Sequence, residues 1–273
     1  MSGIILVTLP IGNNEDLTPR AKNTLKDSSI IYAEDTRVLR EFCKHNDIDL
    51  KDKRIYSFHD HTENLKLEAI AREMQNTTVV MVSDAGSPII SDPSFPLVRK
   101  ALELGLEIRS CPGVSAVTAA LELSGMAPSP FHFHSFIPRD TGKKISFFEE
   151  CRGVYGTHIF FEGVSRVLKT VDELVKCFPE ENFCIARELT KTHETVHRFN
   201  ANEWEELREQ VTIKGEFVIL FSNANKSTGV NNKILELAQE IIDQGAHPKK
   251  LSKLLAEITS TNSKEIYQKM IKK

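Results

Sequence analysis

Charged side chains follow directly after one of the predicted buried strands. The apolar run 30–33 is succeeded by Glu34, Asp35, Thr36 and Arg37. A carboxylate can accept a proton as a general base, and a guanidinium matches anionic oxygens. The same pattern is typical of a helix start, since Asp35 or Thr36 can cap a following helix. Both interpretations stay open, and we predict Glu34, Asp35 and Arg37 as catalytic residues.

A second charged group follows the apolar run 183–186 and contains Arg187, Glu188, Lys191 and Glu194. Such residues are costly to pack in a core, so a polar pocket or a loop facing nucleic acid explains them. An exposed ladder of ion pairs is the alternative. Glu188 and Lys191 join the predicted catalytic residues, and Arg187 is predicted to contact an anionic substrate. Lys191 qualifies as a base only if burial lowers its pKa.

Further cations lie where a polyanion can be bound. Arg166 follows the strand-to-helix corner at 161–163. The net charge is −3, yet the segment from Gly245 to the C-terminus holds seven lysines against two glutamates. A basic tail on an acidic body is typical of polyanion binding, although a solvated helical face has the same composition. Lys249 and Lys250 are the predicted contacts in this tail.

Three apolar runs end in loops rich in glycine and proline. They are the segments 4–13, 79–88 and 108–116. A continuous apolar run that ends in such a turn is typical of a buried parallel strand, and open α/β sheets bind ligands just beyond the carboxyl ends of their strands. The three loops therefore predict one crevice that is lined mostly by backbone. Gly86 allows a bound molecule to approach the chain closely.

The alternation of short apolar runs with helical patterns predicts the elements around this crevice. In the first part, strands are predicted at 4–9, 30–33, 55–58, 79–83 and 106–110. Predicted helices separate them at 18–27, 36–46, 63–75 and 94–104, and another leaves the third loop at 114–123. The segment 125–142, rich in proline and aromatic residues, is predicted as a domain junction or a mobile loop over the crevice.

A second alternating block is predicted after this junction. Its strands lie at 158–161, 183–186, 192–199 and 217–221, with a helix near 164–177. A polar linker at 223–232 leads to three short helical patterns at 231–243, 249–258 and 263–271, which resemble a helix-turn-helix in layout. We therefore predict an α/β fold of two domains, 1–116 and 117–224, with a small helical tail at 225–273.

Several common kinds of site are not indicated. The sequence has no Walker P-loop, no G-x-S-x-G, no H-E-x-x-H and no G-x-G-x-x-G. His59-Asp60-His61 has no clear third ligand, so no metal is predicted. The five cysteines form no C-x-x-C, which favours a reducing cytoplasm. No apolar run approaches the roughly 20 residues that a membrane span needs.

Seven motifs in order carry a resemblance to a known family. The chain resembles the tetrapyrrole-methylase superfamily of S-adenosylmethionine enzymes, and within it the branch that acts on small-subunit ribosomal RNA. The motifs span residues 1–222 and read TLPIGN at 8–13, AEDTR at 33–37, HDH at 59–61, SDAGSP at 83–88, PG at 112–113, ARELTK at 186–191 and KGE at 214–216. Leu9 and Ser87 depart from the threonines that the family usually carries.

The resemblance implies two α/β domains with the methyl donor, S-adenosylmethionine, in the cleft between them. It implies methylation of a cytidine ribose 2′-hydroxyl in the decoding region of 16S RNA within the small ribosomal subunit, and a homodimer. The residues that fall on the implied donor loops are Pro10, Gly12, Ser83, Asp84, Ala85, Gly86, Pro112, Gly113 and Ala116.

Two other functions stay open. One is a methyltransferase of the same superfamily that acts on a porphyrin-like small molecule. The other is a non-catalytic module that binds RNA or the ribosome. Binding that weakens steeply with salt distinguishes an RNA substrate from an apolar one.

Overall fold

The computed structural model describes residues 2–58, 64–92, 94–223, 232–259 and 262–271. His59-Asp60-His61 and most of the predicted linker at 223–232 lie outside these ranges. Among the described residues, no helix is long and apolar enough to cross a membrane.

The first lobe is built on a parallel five-stranded sheet in the order β3-β2-β4-β1-β5. Its strands are β1 (Gly3–Val7), β2 (Ile30–Ala33), β3 (Arg54–Ser57), β4 (Thr78–Val82) and β5 (Glu107–Cys111). The valine-rich β4 is buried on both faces in the middle of the sheet, as its unbroken apolar sequence requires. Because all five strands are parallel, the loops that follow them meet at one edge.

Four helices cover the two faces of this sheet. They are α1 (Pro19–Asp27), α2 (Thr36–His45), α3 (Asn64–Asn76) and α4 (Phe95–Glu103). The predicted caps are present: the Thr18 side chain accepts a hydrogen bond from Ala21 N, and Asp35 accepts one from Arg37 N. The proposed helix-start role of Asp35 is therefore confirmed.

The second lobe has a mixed sheet in the order β6-β7-β10-β8-β9. Its strands are β6 (Phe131–Phe136), β7 (Gly156–Glu162), β8 (Asn182–Arg187), β9 (Thr195–Asn200) and β10 (Phe217–Asn223). Helix α5 (Ala116–Ser124) packs on one face through Val117, Ala120 and Leu121. The other face carries α6 (Thr141–Arg152), α7 (Val167–Cys177) and α8 (Trp204–Arg208) around an aromatic core.

Three elements of this lobe differ from the sequence prediction, and one of them is the short helix α8, which was not predicted. The segment predicted as a junction or mobile loop contains β6, an edge strand that pairs in parallel with β7. Helix α6 is absent from the prediction. Its apolar pattern is misleading, because Ile145 is 59 % exposed while Lys144 is 8 % exposed and pairs with Glu173 at 2.5 Å.

Three helices form the C-terminal segment: α9 (Asn232–Asp243), α10 (Pro248–Thr259) and α11 (Ser263–Ile271). Ala238, Ile266 and Met270 are buried between them and form a small core of their own. All three helices agree with the prediction. The α/β fold class is confirmed, while the proposed domain boundaries stay predictions.

Candidate functional site

A cavity of about 390 Å³ lies between the two lobes. We call it the cleft. The first lobe contributes the loop 84–87 after β4, with Ile11 and Glu34, and the second lobe contributes residues 161–163 and 215–218. Its size is within the range of small-molecule sites, which are usually about 300–1,000 Å³. The cleft lies where the sequence predicts a ligand crevice, at the carboxyl edge of the parallel sheet.

Backbone hydrogen bonds join the loops of the first lobe to one another. Leu9 and Gly86 exchange two of them, each 3.0 Å long, and Thr8 N donates to Cys111 O at 3.1 Å. The Asp35 N–H donates to Asp84 Oδ1 at 3.0 Å. The loops after β1, β2, β4 and β5 therefore form one connected wall, and most of its cohesion comes from backbone.

Gly86 has a φ of +70°, in the left-handed region that favours glycine. A Cβ atom built on it meets only one atom within 4 Å, Ile11 Cγ2 at 3.5 Å. Since Gly86 also lines the cavity, a larger side chain there would project into open cleft volume. The buried Ser83 hydroxyl shapes this loop by donating to Ala85 O at 3.0 Å.

The predicted donor residues divide into two groups. Asp84, Ala85, Gly86 and Ala116 line the cleft. The others support the loops or lie next to them: Ser83, Pro10, Pro112, Gly113 and Gly12 are not among the lining residues.

Gly12 lies against the second lobe and does not line the cleft. A Cβ atom there would collide with Lys191 and lie 2.9 Å from Thr190 Oγ1. The neighbouring Asn13 N–H donates to the same Thr190 oxygen at 3.1 Å. Glycine at this position allows the two lobes to approach closely.

Carboxylates surround the cleft. Glu34, Asp84, Asp92 and Glu216 all line it. Burial raises the pKa of Asp84, and the nearby Asp35 charge acts in the same direction. This set of anions favours a ligand that carries positive charge where it meets the wall.

Asp35 is poorly suited to act as a base. The Arg37 side chain donates to both of its carboxylate oxygens, at 2.6–3.2 Å. These hydrogen bonds, with one from Arg37 N, lower the pKa of Asp35 to about 2. Of the predicted acids on this loop, Glu34 is the one that lines the cleft.

The loop after β8 forms a charged cluster beside the cleft. Lys191 Nζ donates to Glu188 Oε1 at 2.9 Å and to Glu216 Oε2 at 2.8 Å, and Glu188 Oε1 also accepts Glu216 N–H at 3.0 Å. Glu188 and Thr190 both have positive φ, 52° and 64°. Non-glycine residues in this region store strain and are concentrated at functional sites.

The pKa of Lys191 does not meet the condition for a base. Burial acts to lower that pKa, but hydrogen bonds to Glu216 and Glu188 outweigh it, and the pKa is raised overall. The Lys191 contact in turn lowers the pKa of Glu188. Lys191 is therefore an ammonium that holds two carboxylates, and these contacts do not favour a role as a base.

The two arginines predicted to contact RNA both bind partners within the protein. Arg187 is 6 % exposed and donates to Lys214 O at 2.6 Å and to His193 O at 3.0 Å. Arg166 pairs with the buried Glu162 and donates to Ile137 O at 3.0 Å. The structure therefore does not support RNA contact by Arg187, since its guanidinium joins two loops.

Lys249 and Lys250 are exposed on α10, as RNA contact requires. Residues that the sequence analysis missed include Phe136 of β6 and Ile90, which line the cleft. Glu216 belongs to the motif at 214–216, but the sequence analysis assigns it no catalytic or binding role. The signal for Glu216 was available, because Lys214-Gly215-Glu216 directly precedes a strong apolar run.

Comparison with known proteins identifies the family. Residues 3–205 match the model of the Tetrapyrrole (Corrin/Porphyrin) Methylases. A protein of Streptococcus pyogenes serotype M3 named ribosomal RNA small subunit methyltransferase I is 35 % identical over 270 residues, which cover 97 % of this chain and 93 % of the relative. Proteins of the same name from Rickettsia prowazekii and Haemophilus influenzae are 35 % and 34 % identical, with 98 % of this chain covered in each case.

Solved structures agree on the fold. The methyltransferase CobJ superposes with a TM-score of 0.58 at 20 % identity and covers 82 % of this chain and 95 % of its own. The Thermus thermophilus uroporphyrin-III C-methyltransferase, complexed with S-adenosylhomocysteine, has a TM-score of 0.55 at 19 % identity and covers 81 % and 98 %. On the match of the family model and of relatives over nearly its full length, the chain belongs to the tetrapyrrole methylase family.

Proposed function

We propose that the protein is an S-adenosylmethionine-dependent methyltransferase of small-subunit ribosomal RNA, and that it methylates a cytidine ribose 2′-hydroxyl in the decoding region. The observation that carries this proposal is the cleft, which has a wall joined by backbone hydrogen bonds on one side and a wall held by ion pairs on the other. The relatives that match nearly the full chain are named for ribosomal RNA, which favours RNA over a porphyrin-like substrate.

The residues of the cleft fit a sulfonium donor. The open space beside Gly86 leaves room for a ligand against the loop 84–87. The carboxylates Glu34, Asp84 and Asp92 complement a positively charged ligand. When bound, S-adenosylmethionine supplies an electrophilic methyl group. We assign its binding to Asp84, Ala85, Gly86 and Ala116, with Ser83 shaping the loop.

The protein's remaining task is to present and deprotonate a ribose hydroxyl. Attack must be in line with the breaking bond, with the reacting atoms about 3–3.5 Å apart, so positioning carries much of the rate. Glu34 and Asp84 are the carboxylates we assign as candidate bases, because both line the cleft and the raised pKa of Asp84 brings it closer to neutral pH. Lys191 and Glu188 position the 215–218 segment through Glu216.

RNA binding is assigned to cations outside the cleft. Lys249 and Lys250 are exposed on α10, and the Arg37 side chain in the first turn of α2 is 89 % exposed. The cleft is acidic and repels phosphates, so these more distant cations would hold the RNA backbone while one nucleotide enters. The homodimer stays a prediction.

The proposal is tested by mapping ribose methylation of 16S RNA by mass spectrometry. Cells that lack the gene are compared with cells that carry it and with cells that carry a Gly86→Val variant. We expect one 2′-O-methylcytidine of the decoding region in cells that carry the wild-type gene. It should be missing from cells that lack the gene and from cells that carry the Gly86→Val variant. An unchanged methylation map in all three would contradict the proposal. Loss of methylated tetrapyrroles from the cells that lack the gene, with the 16S RNA methylation map unchanged, would indicate the small-molecule alternative instead.

Calorimetry with S-adenosylmethionine tests the third alternative. A binding isotherm with the wild-type protein is expected from a methyltransferase. The absence of any heat or thermal shift would leave only a non-catalytic binding module.

A further inference from the structure

A cluster of metal-binding side chains lies in the second lobe, on the sheet face opposite α5. His134 of β6, His158 of β7 and Cys151 of α6 each offer a ligand atom, and these atoms all lie within 4.8 Å of one another. Three different elements therefore converge on one point. The surroundings are aromatic, since the His134 ring packs on Phe147 and Phe160 at centroid distances of 5.1 Å.

We propose that His134, Cys151 and His158 form a zinc site. Two imidazoles and a thiolate are a ligand set that suits Zn²⁺, whose Zn–N distances are about 2.0–2.1 Å and Zn–S about 2.3 Å. In a tetrahedral site these lengths place the ligand atoms roughly 3.3–3.6 Å apart. His134 Nε2 and His158 Nδ1 are 2.9 Å apart and all three ligand atoms lie within 4.8 Å of one another, so the side chains must rotate to admit the ion.

The hydrogen bonds define the protonation of the two rings. Val154 O can only accept, so His158 Nε2, 2.9 Å away, carries a hydrogen and leaves Nδ1 with a lone pair. His134 Nε2 then donates to that lone pair.

Zinc binding changes the protonation of two of the three ligands. His158 binds Zn²⁺ through Nδ1 with no proton change, and its Nε2–H keeps Val154 O as the outer partner that orients a metal-bound imidazole. The hydrogen on His134 Nε2 moves to Nδ1, and the Cys151 thiol loses its proton to solvent. Because a thiol binds zinc as its thiolate, binding of the ion releases this proton.

His132 is excluded as a fourth ligand through Nε2. That atom lies 3.0 Å from the carbonyl oxygen of Tyr155, to which it can only donate. We assign the fourth position to water, as in zinc sites that have three protein ligands. Since β6 is an edge strand and His134 is only partly buried, the ion can enter from the sheet edge. Bound zinc would hold this edge strand to β7 and α6.

Cobalt(II) provides a direct probe, because a thiolate ligand gives it a near-ultraviolet charge-transfer band. Wild-type protein, Cys151→Ser and the matched control Cys177→Ser are titrated with Co²⁺. Cys177 is a partly buried thiol at the end of α7. We expect the band in wild type and in Cys177→Ser, its displacement by one equivalent of Zn²⁺, and its loss in Cys151→Ser.

Zinc affinity, measured by competition with a chromophoric chelator, provides a second readout. His134→Ala is expected to weaken it by more than about 100-fold, beyond the 10–100-fold effect of losing an outer-shell partner. Circular dichroism in the presence of a chelator shows that each variant is folded. No thiolate band in the wild-type protein, or a band that persists in Cys151→Ser, would overturn the proposal.

Discussion

The two walls of the cleft are held together by different interactions. The first lobe contributes loops that are joined by backbone hydrogen bonds, as between Leu9 and Gly86. The second lobe contributes a strained loop held by the ion pairs of Lys191 with Glu188 and Glu216. Backbone hydrogen bonds fix the shape of the first wall, whereas the ion pairs that hold the second wall depend on pH and salt.

Gly86→Val is expected to weaken S-adenosylmethionine binding by at least about 100-fold, because the side chain enters the cleft. Gly105→Val is the matched control. Gly105 also has a positive φ, +65°, but its Cβ would meet nothing within 4 Å and it does not line the cleft. Both variants carry a strain of about 1–2 kcal/mol. Calorimetry that shows equal affinity loss in both would mean that strain, and not occupancy, explains the result.

Arg187→Met tests whether this arginine supports the second wall or binds RNA. The change leaves two carbonyl oxygens without their buried donor, so the free energy of unfolding is expected to fall by about 1–3 kcal/mol. Arg99→Met, at an exposed site, is expected to change it little. Urea unfolding measures both. A stable Arg187→Met variant with a reduced salt slope of RNA binding would restore the original prediction.

Neutralising two lysines of the C-terminal tail tests whether the tail binds RNA while the cleft binds the methyl donor. The double change Lys249→Gln and Lys250→Gln is expected to reduce the salt slope of RNA binding by up to about 2, with donor affinity unchanged. Lys169→Gln with Lys176→Gln, both exposed on α7, is the control. Filter binding at several salt concentrations gives the slopes, and equal slopes for the two double variants would remove the tail from the RNA interface.

The charged wall predicts a small pH effect. The pKa of Glu188 is lowered by the hydrogen bond from Lys191. Its contribution, about 0.5–1 kcal/mol, is therefore present above the unfolded pKa of about 4.3 and is lost as the pH falls through the folded-state value. Glu188→Gln is expected to flatten the melting temperature over this acidic range. If Lys191→Met lowers the melting temperature of the Glu188→Gln variant as much as it lowers that of the wild-type protein, the two residues are not coupled.

The sequence predicts the first wall better than the second for a physical reason. The parallel strands are unbroken apolar runs with glycine and proline at their ends, so the loops around Gly86 are visible as a pattern. Edge strand β6 alternates phenylalanine and histidine and is only partly buried, which gives no clear strand signal. The contact between Lys191 and Glu216 joins residues 25 apart through tertiary structure, and local spacing contains no trace of it.

A crystal structure with S-adenosylhomocysteine tests whether the methyl donor binds in the cleft between the two lobes. The account predicts the nucleoside between the lobes, against the loop 84–87 on one side and residues 215–218 on the other. A ligand bound outside the cleft, or contacting only one lobe, would contradict it.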